Sequence, residues 1–313
     1  MAQRLLPLDG PLDLRATLRG AGRPPVSLMR AGAAWRASHT PDGPATVAVD
    51  TGIAGGSGVA RPGVVVRVRA WGPGAGWVLD HAHDLTGLSD SGVEEFQLRL
   101  AARHPVVAAL ARRSPGLRVA RTHAVVERLT TAVLEQKVVS ADARASYRRL
   151  VSRYGAPAPG PGAALGLRLP PAPAALARIP SGAFRPLGVE AKRADTVRRV
   201  AANAHRLEQC TRLPLAEAYR RLQVLPGVGP WTAAEVAATA LGDPDAVSVG
   251  DYHLPNLVSW ALAGEPRGDD DRMLELLEPF RGHRGRVVAL LEGSPGRRAP
   301  RYGPRMPRAG ALT

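Results

Sequence analysis

The chain has 313 residues, enough for two lobes and a sizeable core, with 42 Lys and Arg against 27 Asp and Glu for a formal net charge of +15. Its single cysteine, Cys210, excludes an internal disulfide, a cysteine-rich zinc site and a four-cysteine iron–sulfur cluster. No apolar run reaches membrane-spanning length, and the Met1 to Leu14 start is too charged and proline-broken for a signal peptide, so a cytoplasmic protein is expected.

Up to about residue 85 the pattern is strand-like. Val26 to Trp35, Ala45 to Asp50, Val64 to Trp71 and Trp77 to Leu79 are short runs of β-branched or aromatic residues. Turns at Pro41-Asp42-Gly43, Gly55 to Gly58 and Gly72 to Gly76 separate them. An antiparallel sheet is expected, with Leu12 to Arg19 as a helix on its face. His81 and His83 have a metal-like spacing, but no third ligand follows, so they read as solvated or capping histidines.

From Ser91 the chain turns helical. Val93 to Arg103, Pro105 to Arg113 and Thr122 to Lys137 carry apolar residues at helical spacing, and Ser140 is placed to cap a helix ending near Tyr154. Gly155 to Pro173 is rich in Pro, Gly and Ala and reads as a mobile loop inside one helical fold. Helices resume at Ala174 to Ile179, Val189 to Leu207 and Leu213 to Val224. The second carries Lys192, Arg193, Arg198, Arg199 and Arg206, read as a solvated face with a phosphate-facing one as the alternative.

Next comes Leu225-Pro226-Gly227-Val228-Gly229, then Pro230-Trp231-Thr232 and an alanine-rich helix to Leu241. Helix, five-residue hairpin and helix form a helix-hairpin-helix over residues 213–241. Such a turn brings backbone N–H groups and a helix N-terminus to bear on an anion. On so basic a chain a nucleic-acid phosphate fits best, although the Arg-, Ala-, Gly- and Pro-rich usage accounts for part of the charge. Asp251 follows Trp231 by twenty positions and opens a further helix to about Ala263. There the helix dipole favours an ionised carboxylate, and a plain cap is the alternative. Asp243 and Asp245 lie in a proline-containing turn and read as turn residues. Helices at Asp269 to Glu278 and Gly285 to Glu292 precede a tail with Arg297, Arg298, Arg301, Arg305 and Arg308, read as a disordered basic arm.

Leu225 to Ala233 with Asp251 resembles the signature of the HhH-GPD DNA glycosylases, and within them the type of bacterial DNA-3-methyladenine glycosylase II. Pro115 to Arg118, Val133 to Ser140, Leu187 to Val189 and Lys192 to Ala194 are similar in the same order, so the resemblance covers roughly residues 90–292. It implies an α+β fold: a small N-terminal β-rich support domain over 1–88, a mostly α-helical glycosylase domain over 89–293, and the tail over 294–313. It further implies a monomer acting on double-stranded DNA with damaged bases, in a bacterial cytoplasm at the nucleoid. The chemistry calls for no cofactor and no side-chain metal site; the hairpin backbone of this superfamily often holds a monovalent cation.

Carried over residue by residue, Asp251 stabilises the oxocarbenium-like transition state and directs the water. Trp231 opens the base pocket where bifunctional members carry a Schiff-base Lys, which implies no lyase step. Glu235 stands where the family has a pocket tyrosine, one turn from Trp231; it either reads or attracts the base or pairs with Arg281 or Arg284. Tyr252 is placed to line the pocket or to pack at the helix start. A second pocket tryptophan has no counterpart in Arg286 to Leu290. Leu225, Pro226, Gly227, Val228, Gly229 and Thr232 are expected on the DNA backbone. Gln136 and Lys137 match the segment that fills the gap left by the flipped base. The reading is a monofunctional glycosylase for alkylated purines. The alternatives are a non-catalytic binder of damaged DNA and a glycosylase for oxidised or deaminated bases. A binder has no use for Asp251, whose charge repels phosphates.

Overall fold

The computed structural model describes residues 1–54, 63–294 and 299–300; the Gly55 to Gly58 turn and the basic tail from Arg297 lie outside these. Five strands, β1 (Ala2–Pro7), β2 (Ser27–Arg30), β3 (Ala33–Thr40), β4 (Gly43–Ala54) and β5 (Gly63–Trp71), form one antiparallel sheet in the order β1-β5-β4-β3-β2. Val26 to Trp35 is two strands joined by a tight turn at Ala31-Gly32, where both residues take positive φ. The edge strand β1 escapes a periodicity search because it buries only Leu6.

Against this sheet pack α1 (Leu14–Thr17), α2 (Ala75–Asp80) and α3 (Ala82–Thr86). The expected strand at Trp77 to Leu79 is thus corrected to a helix. Ala75, Val78, Leu79 and Ala82 all meet the sheet core, the i, i+3, i+4, i+7 spacing of one helical face. His81 Nδ1 bonds Trp77 O at 2.9 Å and its ring stacks on Trp77, while His83 is exposed, and among the described residues no group of three ligand side chains forms around them.

The rest is helical. After α4 (Val93–Glu95) come α5 (Pro105–Arg113), α6 (Val125–Glu135), α7 (Ser140–Tyr154), α8 (Pro173–Arg178), α9 (Ala191–Ala202) and α10 (Ala204–Glu208). Then follow α11 (Leu215–Gln223), α12 (Pro230–Val236), α13 (Leu254–Ala263), α14 (Asp270–Leu277) and α15 (Arg284–Gly293). Central α6 serves two cores, one with α10, α11 and α12 and one with α7, α8 and α9, while α5, α13, α14 and α15 close a third. Phe96–Leu100 is π-helical and buries Phe96 and Leu100, and the 3-10 turn that follows buries Ala101. Ser140 is the first residue of α7 and caps nothing; Val139 holds the cap position.

Gly155 to Pro173 is clasped to the sheet. Its β6 (Ala156–Pro157) and β7 (Arg168–Leu169) pair with each other, and Ala158, Leu167 and Leu169 bury against Ala37. Thr46 donates to Pro159 O at 2.8 Å. This stretch spends its small residues on close approach: a Cβ on Gly160 would meet Trp71 at 2.7 Å.

His123, in the left-handed region at φ 57, has Nε2 2.7 Å from Asp84 Oδ2 and is pushed down to about 4 by burial, with Arg121 adding to it against the pull of Asp84. A histidine neutral in the fold and protonated when unfolded stabilises fully above pH ~6.5 and loses that contribution as pH falls to about 4, worth about 3 kcal/mol. His123→Asn, which tolerates the same φ, is expected to flatten the decline in unfolding free energy across that window.

Candidate active site

The hairpin closes between the end of α11 at Gln223 and the start of α12 at Pro230. Gly227 takes φ 94, and a Cβ there would stand 2.5 Å from Thr196 Oγ1, so glycine is required on two counts. Neighbouring side chains set the turn. Arg199 Nη1 donates to Pro226 O at 2.7 Å, and Gln136 Nε2 donates to Gly227 O and Thr232 Oγ1, both at 2.9 Å. The N–H groups of exposed Gly227 and Gly229 find no partner among the described residues. Those donors face outward.

Several of the expected DNA-contact residues use their side chains to brace the hairpin. Thr232 and Val228 are 2% and 5% exposed, so their side chains belong to the interior, and Leu225 packs on the same core. Gln136 is bound to the hairpin. Exposed Lys137 holds φ 54 at the turn between α6 and α7. Of the five cations expected on one helix, Arg193 is buried on Leu134 O at 2.9 Å, Arg199 holds the hairpin and Arg198 lies 3.6 Å from Asp195, which leaves Lys192 on α9 and Arg206 on α10 exposed.

Asp251 is fixed at both oxygens. Oδ1 accepts the N–H groups of His253 and Leu254 at 2.7 and 2.8 Å, capping α13, while Oδ2 accepts Trp231 Nε1–H at 3.1 Å. The cap and the hairpin are therefore one assembly.

A cavity of about 520 Å³ opens beside Asp251, within the roughly 300–1,000 Å³ usual for small-molecule sites. The segment after α1, α6, α12 and α15 all contribute walls, so the β-rich part closes the site as well as supporting it. Trp231 and Tyr252 do not line it; the first is spent on Asp251, and the second is 66% exposed, edge-on to His253, neither pocket wall nor helix-start packing. Tyr147 is the one aromatic residue in the wall, and its buried Oη has no partner among the described residues.

Glu235 lines the cavity and pairs with Arg128, not with Arg281 or Arg284, which bind Glu278 and Asp245. Ser248 Oγ donates to Glu235 Oε1 at 2.5 Å. Arg128 also reaches Glu135 at 3.1 Å, and Glu135 binds Arg23 at 2.8 Å, so a chain of ion pairs runs from the segment after α1 into the cavity. Asp243 and Asp245 are turn residues as expected. Asp243 takes the Tyr219 hydroxyl at 2.9 Å, and Asp245 takes the Gly282 and Arg284 N–H groups at 2.8 and 2.9 Å.

Sequence reasoning missed Arg128, Tyr147 and Glu292 in this wall. Nothing local marked the first two, since Arg128 meets Glu235 across 107 positions. Glu292 was legible only as a helix end.

No protein-family model matches the chain. It is 35% identical over 152 residues to a Mycobacterium tuberculosis protein named probable bifunctional transcriptional activator/DNA repair enzyme AlkA; the match covers 48% of this chain and 30% of that relative's length. In structure it is similar to a 3-methyladenine DNA-glycosylase from Archaeoglobus fulgidus, with a TM-score of 0.74 and 19% identity over 92% of this chain and 97% of the other. It is also similar to a Clostridium acetobutylicum 8-oxoguanine glycosylase/lyase solved with double-stranded DNA, with a TM-score of 0.66 and 15% identity over 90% of each chain. The α+β fold is therefore that of the helix-hairpin-helix DNA glycosylases. Over the 152 aligned residues the chain is similar to that AlkA protein, of whose length it spans less than a third, and across the rest the likeness is one of fold.

Proposed function

We propose that this chain is a monofunctional DNA glycosylase of base excision repair that turns alkylated purines of the 3-methyladenine type out of double-stranded DNA and hydrolyses their N-glycosidic bond. The observation that carries the reading is Asp251: a carboxylate held at both oxygens, beside a cavity of base-binding size and next to outward-facing hairpin N–H groups. A base inside the duplex is out of reach, so it must be extruded while the backbone is gripped. The hairpin N–H groups and Lys137 supply the grip. As the base leaves, positive charge grows on the sugar, and a preorganised carboxylate stabilises it without reorganising.

Two features support the finer reading. An alkylated purine is cationic, and Asp251, whose oxygens accept only N–H groups and pair with no cation among the described residues, sets a carboxylate at the cavity wall that attracts it, whereas the charge of Glu235 is taken up by Arg128. No lysine is among the described residues that line the cavity, and Trp231 stands where the sequence resemblance puts the lyase amine; both support a reaction without a lyase step.

A methylated duplex tests this directly. Free 3-methyladenine is expected in solution while the strand stays intact until alkali opens the abasic site. Tight binding without release would instead indicate a non-catalytic binder, and enzymatic strand scission would remove the monofunctional assignment.

A further inference from the structure

The cavity holds an acid that the excision of a cationic base does not need. Glu292, at the end of α15, lines the same wall system as Asp251. Its neighbours come from three other parts of the fold: Arg19 and Arg23 after α1, Glu235 on α12, and Asp251 ahead of α13. Arg19 lies against the end of α15, where a Cβ on Gly293 would meet its Nη1 at 2.9 Å. The other guanidinium groups nearby are already engaged, Arg128 with Glu235 and Glu135 and Arg36 with Glu127.

Building on the glycosylase reading above, we propose that Glu292 is the proton donor to the leaving base and extends excision to uncharged purines. Asp251 and Glu292 divide the work by their settings. Three N–H donors hold Asp251 as an acceptor, whereas Glu292 has no hydrogen-bond donor of its own among the described residues and faces two carboxylates. Crowding by protein atoms pushes Glu292 up to about 7, with Glu235 and Asp251 adding to it and Arg19 and Arg23 opposing. Glu292 is solvent-exposed where it lines the cavity, so it can exchange its proton with water. Divergent environments for two carboxyl groups are the usual basis of an acid and base division.

The step balances. The Glu292 carboxyl proton passes to a ring nitrogen of the purine as the C1′–N9 bond breaks and its electron pair goes to the base. Water adds its oxygen to C1′ and releases its proton to Asp251 and thence to solvent, and Glu292 is reprotonated from solvent through the cavity. A base that already carries positive charge leaves without this help.

Single-turnover release from two duplexes, one with hypoxanthine and one with 7-methylguanine, decides it, using the full chain and Glu292→Gln from about pH 5.5 to about 9. Wild-type release of hypoxanthine is expected to fall as pH rises past about 7, and the variant to lose roughly 100-fold with no pH dependence left in that range. Release of 7-methylguanine should stay within about 3-fold, which also certifies the fold of the variant. Equal losses on both bases, or hypoxanthine release indifferent to Glu292→Gln, would overturn the proposal. So would wild-type release of 7-methylguanine alone, with the glycosylase reading intact; release of neither base would remove both.

Discussion

Asp251→Asn is expected to lower single-turnover release of an alkylated purine by roughly 10²- to 10³-fold, about 3–4 kcal/mol of transition-state stabilisation. The substitution removes the negative charge and little else. Asn keeps a carbonyl oxygen for the His253 and Leu254 N–H groups, so the cap on α13 survives. Its amide would then point an N–H at Trp231 Nε1–H, where Asp251 accepts at 3.1 Å, and losing that bond costs about 1 kcal/mol. Stability should therefore fall slightly while release collapses. Affinity for the damaged duplex should hold or rise, because a negative charge beside the phosphates has gone. Release within about tenfold of wild type would remove Asp251 from the chemistry. An equal loss of binding would show that the carboxylate positions the hairpin through Trp231.

The hairpin and Asp251 were legible because their chemistry is local. A glycine forced to φ 94, a proline opening a helix and a carboxylate capping the next one each leave a mark within a few positions. The cavity was not, because its wall is assembled from Arg23, Arg128, Tyr147 and Glu292, which no periodicity connects. Trp231 shows the limit: its position was found, while its bond to Asp251 and its absence from the cavity wall depend on how α12 and α13 pack. Likewise Gln136 and Thr232 sit in the matched segments yet serve each other, since a hairpin that must stay rigid needs donors for its own carbonyls. In the sheet, Trp77 to Leu79 misled because three apolar residues in a row fit either period, and only Ala75 and Ala82 settle it. Gly155 to Pro173 misled for another reason: composition alone does not distinguish small residues in a loose loop from small residues in close packing.

The largest stability effect is expected at Asp90, which the sequence did not mark. Asp90 and Arg286 have side chains 6% and 2% exposed, and Arg286 Nη2 lies 2.8 Å from both carboxylate oxygens. Around this pair Val119 N–H donates to Asp90 Oδ2 at 2.8 Å, Arg286 Nη1 donates to Leu117 O at 3.3 Å, and the guanidinium lies 5.6 Å from the Phe96 ring centre. The pair thus ties α15, with Glu292 at its far end, to the segment between the sheet and the helices. Asp90→Ala leaves a buried cation without its partner and two peptide N–H groups without an acceptor, and should cost about 3–5 kcal/mol of unfolding free energy in denaturant titrations. Arg286→Met alone strands the carboxylate, but its Val119 and Gly92 N–H donors remain, so the loss should be smaller. Combining Asp90→Ala with Arg286→Met removes both charges and should recover part of the single-variant loss, leaving about 1–3 kcal/mol for the orphaned N–H groups. Additive losses in the double variant would show that the two charges act separately and that the packing of α15 rests on its apolar face alone.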